Sequence, residues 1–110
     1  MLTAITRDIN ADMGNCELTF LPRVPIKADL ALQQHQQYQS TLSSLGCEVV
    51  TVPTEPGLAD SVFVEDTALV LDEIAVMCVP GAESRRPEVA GVRDHLTERR
   101  VVRPTCKHGW

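Results

Sequence analysis

The stretch Asp60-Ser61-Val62-Phe63-Val64-Glu65-Asp66 puts three carboxylates within seven residues, interleaved with apolar side chains. Acids among apolar neighbours lose hydration, and that loss is tolerated only where a cation or a set of hydrogen-bond donors offsets it. Glu65 and Asp66 are adjacent and repel each other. A planar guanidinium, with its fork of N–H donors, relieves such repulsion by bridging the pair. A second stretch, Pro80-Gly81-Ala82-Glu83-Ser84-Arg85-Arg86, follows across an expected hairpin and offers Arg85 to an anionic end of the same ligand. On the residues alone two readings stay open: a guanidinium cradle, or a solvated acidic loop with no ligand, because acid clusters are commonly surface.

Other residues with chemical potential are weaker. Cys106 and His108 form a Cys-x-His near the C-terminus. A thiol beside an imidazole is a nucleophile pair in principle, but nearness in sequence does not set facing geometry. The same two residues fall short of the three or four ligands that zinc takes, so no metal and no cofactor is expected. His35 sits among glutamines and reads as a solvated helix residue, and His95 as a surface residue near a helix C-terminus. Cys47 and Cys78 fall in expected strands and read as small buried hydrophobes. The four cysteines, at 16, 47, 78 and 106, form no C-x-x-C pair, and their density is below that of a secreted disulfide scaffold.

The elements that must position the acidic stretch are legible from periodicity. Thr3 to Arg7 has the β-branched content of a short strand. Residues 9 to 25, broken by Asn10, Gly14, Asn15, Pro22 and Pro25, form a long loop, a length that is often functional. From Ala28 to Leu45 the spacing is helical, with Leu30, Tyr38, Leu42 and Leu45 on the apolar face and Gln33, Gln34, Gln36, Gln37 and Gln39 toward solvent. Gly46 is the expected left-handed stop. Cys47 to Val52 reads as a strand ended by Pro53, so strand, helix and strand form a parallel crossover. Its C-terminal end delivers the acidic stretch, where open α/β sheets commonly place ligands.

Thr67 to Leu71 and Ile74 to Val79 are two apolar runs joined through Asp72-Glu73, a hairpin that brings both stretches to one rim. Ser84 is expected to cap the next helix, with Pro87 near its first turn, Glu88 close by, and Val89, Val92 and Leu96 on its apolar face. Val101-Val102 then returns as a strand.

The two stretches, as they stand and at this spacing, resemble the N-terminal part of the dimethylargininases (dimethylarginine dimethylaminohydrolases), from about Thr3 to about Leu96. This family belongs to the guanidino-group-modifying, or pentein, superfamily. The resemblance implies an α/β fold, part of a five-bladed α/β propeller, of which this chain would supply about one and a half ββαβ blades. It implies that Asp60, Glu65 and Asp66 face the polar groups of a small-molecule arginine derivative, with Asp66 on the guanidinium and Arg85 on the carboxylate. Leu18, in Cys16-Glu17-Leu18-Thr19, would belong to a loop closing over the pocket.

In relatives a cysteine attacks the guanidinium carbon and a histidine shuttles protons, and both lie in later blades. No catalytic residue is assigned here, and Arg-Pro-Thr-Cys-Lys-His-Gly-Trp does not match the family's glycine-rich nucleophile motif. The chain is therefore expected to be a single partial domain over 1–110, inactive alone, with an atypical tail at 97–110 and a truncated or deliberately cut gene behind it. Two rivals remain: a non-enzymatic remnant or interaction module, and an arginine-deiminase-like hydrolase.

Composition agrees with a globular α/β chain. Of 110 residues, 44% are hydrophobic, 23% charged and 4% aromatic, so Val, Leu, Ile and Ala must build the core. The net charge of −5 argues against a nucleic-acid surface, which needs a basic stripe. No apolar run reaches membrane-span length and the first residues lack a signal-peptide plan, so a cytoplasmic protein is expected. Propeller strands are covered by neighbouring blades; a lone piece would expose Val62, Phe63, Leu69, Leu71 and Val76, and self-association is the expected consequence.

Overall fold

Strand β1 (Thr3–Arg7) and strand β2 (Glu48–Val52) pair in parallel, from Thr3 opposite Glu48 to Arg7 opposite Val52. Parallel neighbours need a crossover, and helix α1 (Ala28–Ser44) provides it. This computed structural model describes residues 2–16, 18 and 22–104. It divides into two compact units, Met1–Val62 and Phe63–Trp110, with the boundary inside the acidic stretch. The second unit holds strands β3 (Ala68–Val70), β4 (Ile74–Met77) and β5 (Val101–Pro104), with helix α2 (Glu88–Leu96) between the last two. Its sheet order is β3-β4-β5, antiparallel then parallel. That is the expected ββαβ unit, and β1-α1-β2 is the expected partial one.

In the first unit α1 ends as read. Gly46 takes φ +94° and its N–H is donated to the Ser43 carbonyl at 3.0 Å, a conformation open to glycine because it has no Cβ. The helix face is another matter. Leu30, Tyr38 and Leu45 are exposed, and His35 is the buried residue of α1. Gln39 also departs from the solvent-facing reading: its Nε2 donates to Thr6 Oγ1 at 2.8 Å and to Thr51 Oγ1 at 3.3 Å. The helix is thus turned so that positions 31, 35 and 39, four apart along one ridge, meet the sheet. Two hydroxyl-bearing strand residues favour a polar side chain there, and this outweighs the leucine stripe. Arg7, nearly fully buried, is held by Nε donation to the Pro53 carbonyl at 2.9 Å.

In the second unit the core is Ala75 and Met77 of β4 with Val92 and Leu96 of α2. Strand alternation sends Ile74 and Val76 to the opposite face, where Leu69 and Val101 are more than half exposed. The hairpin closes as expected, with Leu71 N–H donating to the Ile74 carbonyl at 2.8 Å across Asp72-Glu73. Ser84 does not cap α2. It lies inside a 3₁₀ turn, Glu83–Arg85, and Pro87 takes the cap position; a proline there costs no hydrogen bond because the first helical N–H groups lack partners anyway. Cys47 and Cys78 lie just beyond the strand ends and are half-buried instead of fully enclosed. His95 is also half-buried, its Nδ1 3.0 Å from the Gly91 carbonyl oxygen. Cys106 and His108 lie outside the described residues.

Candidate ligand-binding site

The arginine of the second stretch meets the last acid of the first. Residues Val64–Asp66 form a 3₁₀ turn leading into β3, and the turn is tightened by Thr67, whose Oγ1 and N–H both reach the Val64 carbonyl, at 2.6 and 3.0 Å. Across the hairpin the turn Glu83–Arg85 runs into α2. Arg85 Nη1 donates to Asp66 Oδ2 at 2.7 Å, and Nη2 donates to the Phe63 carbonyl at 3.1 Å. The hairpin therefore does bring the end of the first stretch, Phe63 and Asp66, against Arg85 of the second.

A third member was not singled out from the sequence. Glu88, in the first turn of α2, accepts from Arg85 Nε at 3.1 Å (Oε2) and from Nη2 at 2.9 Å (Oε1). Its side chain is 1% exposed, that of Arg85 13% and that of Asp66 56%. The signal available was the i, i+3 spacing of Arg85 and Glu88 at a helix start. The guanidinium of Arg85 thus bridges two carboxylates, Asp66 and Glu88. Glu65 is exposed and makes no ion pair among the described residues.

Burial alone would push the Arg85 guanidinium toward losing its proton. The hydrogen bonds and charges of Glu88 and Asp66 outweigh it and hold the group above the usual arginine value. Arg86 is separate: its Nε donates to the Pro80 carbonyl at 3.1 Å, and it pairs loosely with Glu83 at 3.6 Å.

Asp60 and Leu18 belong to the first unit. Asp60 is buried at the end of a loop pinned from several sides. Asn10 Nδ2 donates to Thr54 Oγ1 at 2.8 Å and to the Glu55 carbonyl at 2.6 Å. Thr54 Oγ1 lies 3.0 Å from Ser61 Oγ, and Gly57 N–H donates to Asp12 Oδ2 at 2.9 Å. Buried Asn10 and Ser61 thus satisfy each other's surroundings and fix the backbone that carries Asp60. Leu18 is exposed, in a loop where Arg23 donates to the carbonyls of Gly14 and Cys16. Its neighbours Glu17 and Thr19 lie outside the described residues.

Among the described residues no group of three or more His, Cys, Asp or Glu could hold a metal ion, and no helix is long and apolar enough to cross a membrane.

The chain is similar to curated proteins of one kind. It is 39% identical over 107 residues to the N(G),N(G)-dimethylarginine dimethylaminohydrolase of Streptomyces coelicolor, covering 97% of this chain and 40% of that protein. It is 41% identical over 58 residues to the enzyme of the same name from Pseudomonas aeruginosa. The longer match runs beyond the Thr3–Leu96 stretch, into the tail at 97–110. The chain spans about 40% of the length of the first of these relatives. No protein-family model matches it.

Solved structures agree with the fold. A mutant of the Pseudomonas aeruginosa enzyme complexed with citrulline superposes with a TM-score of 0.87 at 26% identity, over 97% of this chain and 43% of that one. The N-terminal domain of ArgZ, a cyanobacterial arginine dihydrolase, superposes with a TM-score of 0.75 over 94% of this chain and 40% of that one; at 18% identity this bears on the fold alone. The α/β pentein fold and the resemblance to the dimethylargininases both stand, and the partial coverage fits an N-terminal portion of such a protein.

Proposed function

We propose that this chain is the substrate-binding portion of a dimethylargininase-like hydrolase, which converts N-methylated arginine to citrulline and a methylamine. The observation that carries the reading is the Asp66–Arg85 contact at 2.7 Å, made by the two stretches through which the sequence resembles that family. One side of this pair suits a cationic guanidinium and the other a carboxylate, the two charged groups that an arginine derivative carries. Without ligand they neutralise each other. A ligand exchanges that contact, its guanidinium replacing Arg85 beside Asp66 and its carboxylate replacing Asp66 beside Arg85. Glu65 would face another polar group of the ligand.

These 110 residues alone are expected not to turn substrate over. The sequence has no glycine-rich cysteine motif, and we assign neither nucleophile nor base within it. Uncovered apolar residues such as Leu69 and Val101 support self-association as the state of the isolated chain.

Calorimetry with N(G),N(G)-dimethylarginine tests the reading. Binding by the parent, lost in Asp66→Ala and in Arg85→Ala, supports it. No binding by the parent, whose fold is verified by circular dichroism, supports a non-enzymatic remnant instead. Tighter binding of unmethylated arginine points to the deiminase-like alternative.

A further inference from the structure

The two carboxylates on Arg85 differ in a way that assigns them different duties. Asp66 is a single-oxygen contact from a turn, and its side chain is 56% exposed. Water can replace what Arg85 gives it, so leaving costs it little. Glu88 uses both oxygens on the Nε and Nη2 edge, from the first turn of a helix, and is fully enclosed. A buried carboxylate has no water to fall back on, so it holds its cation in every state of the site. Side-on two-point contact also fixes the plane of the guanidinium, which a single contact leaves free to turn.

We infer that Glu88 is a positioning residue for carboxylate recognition: it clamps one edge of Arg85 so that the Nη1 corner stays at the rim when Asp66 lets go. This inference rests on the binding reading above and adds to it the residue that keeps Arg85 in register through the exchange. Without the clamp, the Nη2 contact to the Phe63 carbonyl holds Arg85 at one point but does not fix the plane of the guanidinium, and the ligand's carboxylate would meet a group that must first be ordered. Recognition of the guanidinium end, through Asp66, would be spared.

The experiment compares two ligands on the 110-residue chain: N(G),N(G)-dimethylarginine and its decarboxylated counterpart, which keeps the guanidinium and lacks the carboxylate. Calorimetry on Glu88→Gln is expected to show dimethylarginine binding weakened by about tenfold or more, with the decarboxylated ligand changed by less than about twofold. Glu88→Asp keeps the charge but withdraws it by one methylene, and is expected to give the same selective loss in smaller measure. It also serves if Glu88→Gln fails to fold. A readout free of ligand accompanies these: the Arg85 Nε–H proton, protected from exchange in the parent, exchanges quickly in Glu88→Gln. If folded variants bind dimethylarginine as the parent does, the clamp is wrong and the binding reading survives. Equal weakening of both ligands makes Glu88 merely structural and also overturns the inference. If the parent binds neither ligand, the binding reading falls and takes this inference with it.

Discussion

The ring of His35 lies 6.2 Å from that of Tyr38, tilted by 39°, and its Nε2 is buried with no hydrogen-bond partner among the described residues. A ring nitrogen taken out of water without a partner forfeits its hydration and gains nothing in return. His35 is also the buried residue of α1, in the row that meets the sheet.

Replacing His35 should therefore strengthen the first unit. His35→Leu removes the unsatisfied nitrogen and supplies a better helix former, and is expected to raise stability by about 1 kcal/mol. Urea unfolding of parent and variant, followed by circular dichroism, checks the sign; a lower midpoint for the variant would mean that Nε2 finds a partner.

Arg85 and Asp66 should be unequal when each is removed. Arg85→Ala strands the buried Glu88 carboxylate, and loss of one partner from a buried pair costs about 3 to 5 kcal/mol. Asp66→Ala removes an exposed contact worth about 1 kcal/mol or less. Paired denaturation curves measure both, and comparable losses would contradict the asymmetry that the enclosure of Glu88 implies.

Alkaline titration should not reach this cluster through Arg85. Its proton is held more tightly in the folded chain than in the unfolded one. The resulting stabilisation is fully present below the unfolded arginine value and is lost only as pH rises through the still higher folded value. Across the range where lysine titrates, near about pH 10 to 11, the parent should lose nothing at this position. Arg85→Lys should lose stability there, since a lysine can give up its charge. Thermal melts of both proteins between pH 8 and 11 decide it, and parallel pH profiles would refute the assignment.

The sheet of the second unit predicts an association equilibrium. Leu69 and Val101 are 58% and 52% exposed, and alternation puts them with Ile74 and Val76 on the face opposite the α2-covered core residues. Apolar surface of this kind lowers free energy by leaving water. Sedimentation of the parent should depend on concentration, and Leu69→Glu should shift it toward monomer. A monomeric parent at all concentrations would end this expectation.

Much of the fold is written in local pattern. β-Branched runs bounded by Pro53, Gly46 and Asp72-Glu73 mark the strands, the parallel crossover and the hairpin, because these residues restrict the backbone wherever they occur. The hairpin alone required the acidic stretch and Arg85 to share a rim. Both stretches could be matched to a family from their literal residues.

Which side chains face inward was less legible. The leucine stripe of α1 pointed one way, yet Gln39 reaches Thr6 and His35 goes under. Helix rotation depends on what the sheet presents, and the threonines doing the presenting lie more than ten residues away in sequence. Glu88 was visible only as an acid at a helix start; its two-point hold on Arg85 needed the turn Glu83–Arg85 to fold the arginine back over the helix. Sequence by itself determined the order of elements and that Asp66 and Arg85 would lie near each other across the hairpin, since both follow from short-range backbone preferences. Only the tertiary structure decided which acid is enclosed and which is exposed, because enclosure depends on residues distant in the chain arriving on the same side.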